Sequence, residues 1–285
     1  LSLDLISKVV LKTDLLDYID LRSGFTSGTV AINLVDAALP VSALSCGWTS
    51  DGQVTYTQVN VIIESLQSKT EMCVEDLRAT YQSAFMNAGT GNDFIPFENV
   101  ISESYSDKLR KYNEGFLING SAGGAMTGLK GQITAANGAN LQGGAIAAWT
   151  AANAFEQALD LYDAIDESVK DRDDLIMVVS PDAYRALVRA LVAQNLYHFN
   201  SVESNDILIL PGTNVTVVKS SGLVGSDNKF AGPGKMILAA TGLTDELDNF
   251  RFFYDEAADV MKFRAAWRLG VGVGEVNVFA TNDMA

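Results

Sequence analysis

The spacing of apolar residues along the chain shifts from period two to a step of three and four, and back again. Leu1, Leu3, Leu5, Val9, Leu11, Leu15, Leu16 and Ile19 make a loose apolar pattern that reads as a short helix or an arm. Residues 29–39 and 54–64 favour strand and flank a Ser/Gly-rich stretch, 41–53. In the second run Val54, Tyr56, Gln58, Asn60 and Ile62 alternate with Thr55, Thr57, Val59, Val61 and Ile63, so one face is the more apolar. The pattern predicts a long β-hairpin with a broad tip. Such a hairpin has little core of its own and needs a covering partner.

Helical spacing follows. Leu77, Tyr81, Ala84, Phe85 and Ala88 share one helical face, closed by Gly89-Thr90-Gly91. Phe94, Phe97, Ile101, Tyr105, Leu109, Tyr112 and Phe116 then step by three and four, with Asp93 as N-cap and Pro96 in the first turn. Residues 119–144 are rich in Gly, Ala, Asn and Ser and read as a long loop. Ala148, Ala152, Phe155, Leu159, Tyr162, Ile165 and Val169 predict a second long amphipathic helix. A buried-type strand at 175–179 meets Ser180-Pro181-Asp182, a cap before a helix carrying Tyr184, Leu187, Val188, Leu191 and Val192. Short strands at 207–210 and 215–218 surround the turn at 211–214, which completes an α/β unit. The last part reads as strands at 236–240, 250–254, 261–268 and 271–280, with a hairpin turn at 255–259. The fold class is α+β.

Composition narrows the chemistry. At 285 residues, 48% hydrophobic and 19% charged, the chain has ample core for one large domain or two modest ones. Its 35 acidic and 20 basic residues leave a net charge of −15, a surface that repels phosphates. No apolar run approaches the roughly 20 residues of a membrane helix. Cys46 and Cys73 suit neither a disulfide framework nor a zinc site, and read as reduced thiols. His198, the only histidine, sits among Leu196, Tyr197 and Phe199 and reads as a packed or loop-edge residue rather than a base. Gly270-Val271-Gly272-Val273-Gly274 opens a strand, not the helix of a dinucleotide site, so its small residues suit close backbone approach. No catalytic, cofactor-binding or metal-ligating set is expected. Lys108, Arg110 and Lys111 form a basic cluster, either a solvated helix face or a subunit- or cargo-facing patch. Trp48 lies in the Ser/Gly-rich stretch, with Val54 and Tyr56 on the returning strand. These three are candidate interface residues, the alternative being that Trp48 folds back on its own hairpin.

Several segments, in order, carry a resemblance. Asn113-Glu114-Gly115-Phe116-Leu117-Ile118-Asn119-Gly120 followed by Thr127-Gly128-Leu129 is similar to the stretch after the spine helix in the major capsid protein family of tailed double-stranded DNA bacteriophages. Ile176-Met177-Val178-Val179-Ser180-Pro181-Asp182-Ala183-Tyr184 resembles its strand into a Ser/Asn-Pro helix. Leu210-Pro211-Gly212-Thr213-Asn214-Val215-Thr216-Val217 resembles its Leu-x-Gly-x-Pro-Val strand, with Asn where Pro is more usual. The resemblance implies an N-terminal arm at 1–25, an extended loop at 26–70 and an axial domain at 147–233. It implies a peripheral domain from 71–146 and 234–285, with the spine helix at about 94–116. It further implies a structural subunit, not an enzyme, that assembles in the host bacterial cytoplasm as hexamers and pentamers of an icosahedral shell around double-stranded DNA. Portal, scaffold or decoration proteins are the implied partners, with no membrane. Leu1 in place of Met fits the removal of an N-terminal segment by a maturation protease. Encapsulin-type compartments share this fold and are the nearest alternative. An unrelated soluble α+β enzyme and a secreted adhesin are the others.

Overall fold

A computed structural model describes residues 15–26, 28–37, 54–73, 97–143, 147–195, 208–242, 251–258 and 260–283. The expected helix at 77–88, the hairpin tip with Trp48 and Cys46, and His198 lie outside them. In chain order the strands are β1 (Asp20–Arg22), β2 (Gly28–Ala37), β3 (Val54–Cys73), β4 (Asn140–Leu141), β5 (Leu175–Val179), β6 (Leu208–Ile209) and β7 (Thr216–Lys219). They continue with β8 (Phe230–Pro233), β9 (Ile237–Thr241), β10 (Arg251–Asp255), β11 (Val260–Val273) and β12 (Ala280–Thr281). The α-helices are α1 (Phe97–Asn119), α2 (Leu129–Gln132), α3 (Ala154–Asp163) and α4 (Pro181–Ala193). Two mixed sheets result. One runs β1-β9-β11-β3-β2 with β10 also on β11, and the other runs β4-β12-β8-β5-β7-β6.

The hairpin forms as expected, with Gly28 opposite Ile63 and Ala37 opposite Val54. Its returning strand is longer than the alternation predicted. Beyond Ile63, β3 continues to Cys73 against β11, from Ile62 opposite Val271 to Cys73 opposite Val260. The pattern fades there because Ser65, Gln67, Lys69 and Glu71 face solvent and Ser68 and Thr70 interrupt the apolar face. The two strands expected at 261–268 and 271–280 are instead one, Val260–Val273, followed by a 3-10 turn at Val276–Val278 and the short β12. Gly270 does not interrupt it: a Cβ there would lie 2.5 Å from the Ile62 carbonyl oxygen, so glycine lets the neighbouring strand close in.

The loop expected at 119–144 holds α2, a 3-10 turn at Ala135–Asn137 and β4. Gly120 (φ 81°) and Gly128 make its crossing possible, since a Cβ on Gly128 would sit 2.3 Å from the Gly120 nitrogen. The helix expected over 148–169 is the ten-residue α3. Its ends are turned away by side chains: Asn153 Oδ1 accepts from Thr150 N at 2.7 Å, and Asp166 Oδ1 from Ser168 N at 2.9 Å. The face it buries is Ala154, Ala158 and Leu161; Phe155, Leu159 and Tyr162 are only half-buried. Strand β5 is buried throughout, and Ser180 caps α4 by accepting from Ala183 N, with Pro181 in the first turn. Asn214, where proline would offer no donor, gives its amide hydrogens to the Lys170 and Arg172 carbonyls at 3.0 and 2.6 Å.

Candidate assembly surface

The hairpin is held at its base and open along its length. Val61 and Ile63 pack with Leu238 and Ala240 in a small core of their own, to which Phe25, Val30 and Val59 add. Glu64 Oε1 then accepts from Ser121 Oγ at 2.8 Å and from the Met126 amide at 2.9 Å, which fastens β3 to the loop after α1. Outward from Val61, β3 pairs with β2 alone among the described residues, and β2 ends the sheet. The resulting ribbon, Val54–Val61 against Val30–Ala37, reaches about 26 Å. Thr57, Gln58 and Asn60 on it are exposed, and Tyr56 keeps 73% of its surface. Val54 heads β3, its backbone opposite Ala37. A two-stranded ribbon with both edges unpaired among the described residues, and an exposed tyrosine, offers backbone N–H and C=O groups for another chain to pair with.

Helix α1 spans 23 residues, about 34 Å long, and lies along β11. Tyr105 stacks on Phe263 with ring centroids 4.7 Å apart, and Trp267 Nε1 donates to Asn113 Oδ1 at 3.0 Å. Leu109, Phe116, Leu117 and Ile118 are buried, but Tyr112, though on the expected stripe, is 54% exposed and meets Trp267 only edge-on. The helix runs to Asn119, beyond the expected end at 116, because its last turn docks on the 3-10 turn Ser221–Leu223. There Ser221 Oγ donates to Glu114 Oε2 at 2.5 Å and Asn119 Nδ2 to the Gly222 carbonyl at 2.8 Å. These contacts couple α1 to the second sheet. Lys108 and Lys111 are exposed one helical turn apart. Arg110 is half-buried, about 200° around the helix from Lys108, so the three cations do not make one patch.

The residues fastening this surface (Glu64, Ser121, Glu114, Ser221 and Asn119) were not legible from spacing, because each pair is separated by more than 50 positions. A glutamate inside a β-favouring run, Glu64, was the one available signal. Among the described residues no group of three or more His, Cys, Asp or Glu could hold a metal ion, and no helix is long and apolar enough to cross a membrane.

This architecture has close parallels among capsid shells. The fold is of the phage-capsid type, mixed α+β with two mixed sheets. The chain superposes on a capsid chain of the native GTA particle with TM-score 0.61 and 14% identity, covering 95% of this chain and 90% of that one. A chain of the satellite phage P4 procapsid with its size-determination protein gives TM-score 0.61 at 10% identity, with 99% and 91% covered. The virus-like particle of Pyrococcus furiosus gives 0.55 at 11% identity, with 98% and 97% covered. No protein-family model matches the chain, and no curated protein matches it in sequence. The likeness is therefore one of fold, extending end to end.

Proposed function

We propose that the chain is the structural subunit of an icosahedral capsid that encloses the double-stranded DNA of a tailed phage. The observation that carries this reading is the β2–β3 ribbon, fastened at its base and with no further strand on either edge beyond Val61 among the described residues, within a fold shared by shell proteins along the whole chain. A ribbon of that length lacks a core, and neighbouring copies are what would cover it. In this reading 1–25 is the arm and 26–70 the extended loop. Residues 71–146 and 234–285 form the peripheral domain around α1, and 147–233 the axial domain. Trp48, Val54 and Tyr56 would bear on neighbouring copies in hexamers and pentamers, with Lys108 and Lys111 exposed for a further contact. Portal, scaffold or decoration proteins would complete the particle in the host cytoplasm. The subunit acts by geometry, not catalysis.

Negative-stain microscopy of the purified chain tests this: closed icosahedral shells are expected, and a protein that stays monomeric at high concentration overturns the reading. A second reading, an encapsulin-type compartment, is favoured by the likeness to the Pyrococcus furiosus virus-like particle. Ultraviolet absorbance of native particles separates the two, since a DNA-filled shell has a nucleic-acid spectrum and a protein-filled compartment does not.

A further inference from the structure

The α/β unit carries opposite charge at its two ends. At the carboxyl end of β5 a cavity of about 470 Å3 opens beside the first turns of α4, lined by Trp149, Thr150, Asp182, Arg185 and Arg189. Arg185 reaches back to Asp182, while Arg189 forms no ion pair among the described residues. Behind the cleft, Lys229 is 1% exposed, immediately before Phe230, which pairs with Val178. Its Nζ stands 5.3 Å from the centre of the Trp149 ring and donates to the Asp227 carbonyl. Trp149 is itself 8% exposed, and its indole N–H has no hydrogen-bond partner. The opening thus carries two arginines against one aspartate, beside an indole with an unused donor and a buried lysine, in a chain whose net charge is −15.

The amino end of the same strand is acidic. Residues 163–174 hold Asp163, Asp166, Glu167, Asp171, Asp173 and Asp174 against Lys170 and Arg172. Both bases are already engaged, Lys170 with Glu167 at 2.8 Å and Arg172 with Asp174 at 2.8 and 2.9 Å. Asp163, Asp171 and Asp173 are exposed.

We propose that the cleft formed by Trp149, Arg185 and Arg189 receives the acidic segment 163–174 of a second copy. This rests on the shell reading and names one of its contacts. Because the two surfaces sit at opposite ends of β5, the contact is head-to-tail, the kind that closes into a ring when the rotation allows. Copies of charge −15 repel one another broadly, and a local match of sign is what selects one arrangement among them.

The test uses the full chain. Reversing the cleft with R185E/R189E is expected to raise the concentration needed for assembly about tenfold or more, with circular dichroism and melting of the free subunit unchanged. D171K/D173K is expected to do the same, and the four substitutions together to recover most of the loss. Should the double reversal not fold, Arg189→Gln serves in its place, with a smaller rise. Assembly of R185E/R189E at the wild-type concentration overturns the inference, as does a four-fold variant no better than either pair. Normal assembly with loss of DNA retention would make the cleft a phosphate site and also overturn it. If the wild type makes no shells, sedimentation velocity still decides. Salt-sensitive association lost in R185E/R189E keeps the contact while the shell reading falls; no such association sinks both.

Discussion

Glu64 is half-buried and satisfies two donors of the 121–126 loop, Ser121 Oγ and Met126 N. Glu64→Ala leaves Met126 N without its acceptor and Ser121 Oγ with only the Met126 carbonyl at 3.4 Å, so a loss of about 1–3 kcal/mol is expected in denaturant unfolding. Ser121→Ala alone should cost less, and a double-mutant cycle should return a nonzero coupling; additivity would mean the bond does not matter. Lys229 works differently. Burial pushes its pKa below the usual lysine value, with the nearby Asp227 only partly opposing this. The unfolded chain therefore holds that proton to higher pH than the folded one. Stability is expected to rise with pH through the window between the depressed value and the ordinary 10.5. Lys229→Met should flatten that dependence in pH-resolved melting, and an unchanged slope would argue against it.

At the scale of elements, β3 is shared between two partners, β2 over its first half and β11 over its second. Only Ile62 and Ile63 have a strand on both sides; outward of them β3 has β2 alone, and from Glu64 to Cys73 it has β11 alone among the described residues. Deleting 41–53 and closing the hairpin with Asn-Gly is expected to leave the subunit folded, since Val61 and Ile63 hold the base, yet to block assembly. If Trp48 is an interface anchor, as proposed, Trp48→Ala should act in the same direction, since loss of such an anchor costs ~2 kcal/mol or more at each contact. Normal shells at normal concentration from the shortened chain would remove the loop from the assembly mechanism. Helix α1 was legible in its stripe, whereas its last turn was set by docking on Ser221 and Gly222.

For the whole molecule, the balance of 35 acids against 20 bases bears on how it would meet nucleic acid on the proposed shell reading. The free subunit is expected to bind duplex DNA more weakly than about 1 μM near 0.15 M salt, with the residue of binding erased by further salt. Filter binding measures it. A tighter value would point to a local basic surface such as Lys108 and Lys111, and would replace a passive wall with an active one.

Local signals in the sequence determined much of this architecture. The period-two run before Ile63, the stripe from Tyr105 to Phe116 and the Ser180-Pro181 start of α4 each encode their element through neighbours a few residues away, so spacing suffices. The order of these parts also carried the resemblance to capsid proteins. Tertiary structure alone decided what depends on distant partners. It fused 260–273 into one strand, because Gly270 fits beneath the Ile62 carbonyl, and added β12 and β4 to the edge of the second sheet. It shortened α3, where Asn153 and Asp166 turn the chain, and placed Arg185 and Arg189 beside Trp149. No periodicity announces such pairings, since what fixes them is steric room and hydrogen-bond satisfaction between residues far apart in sequence.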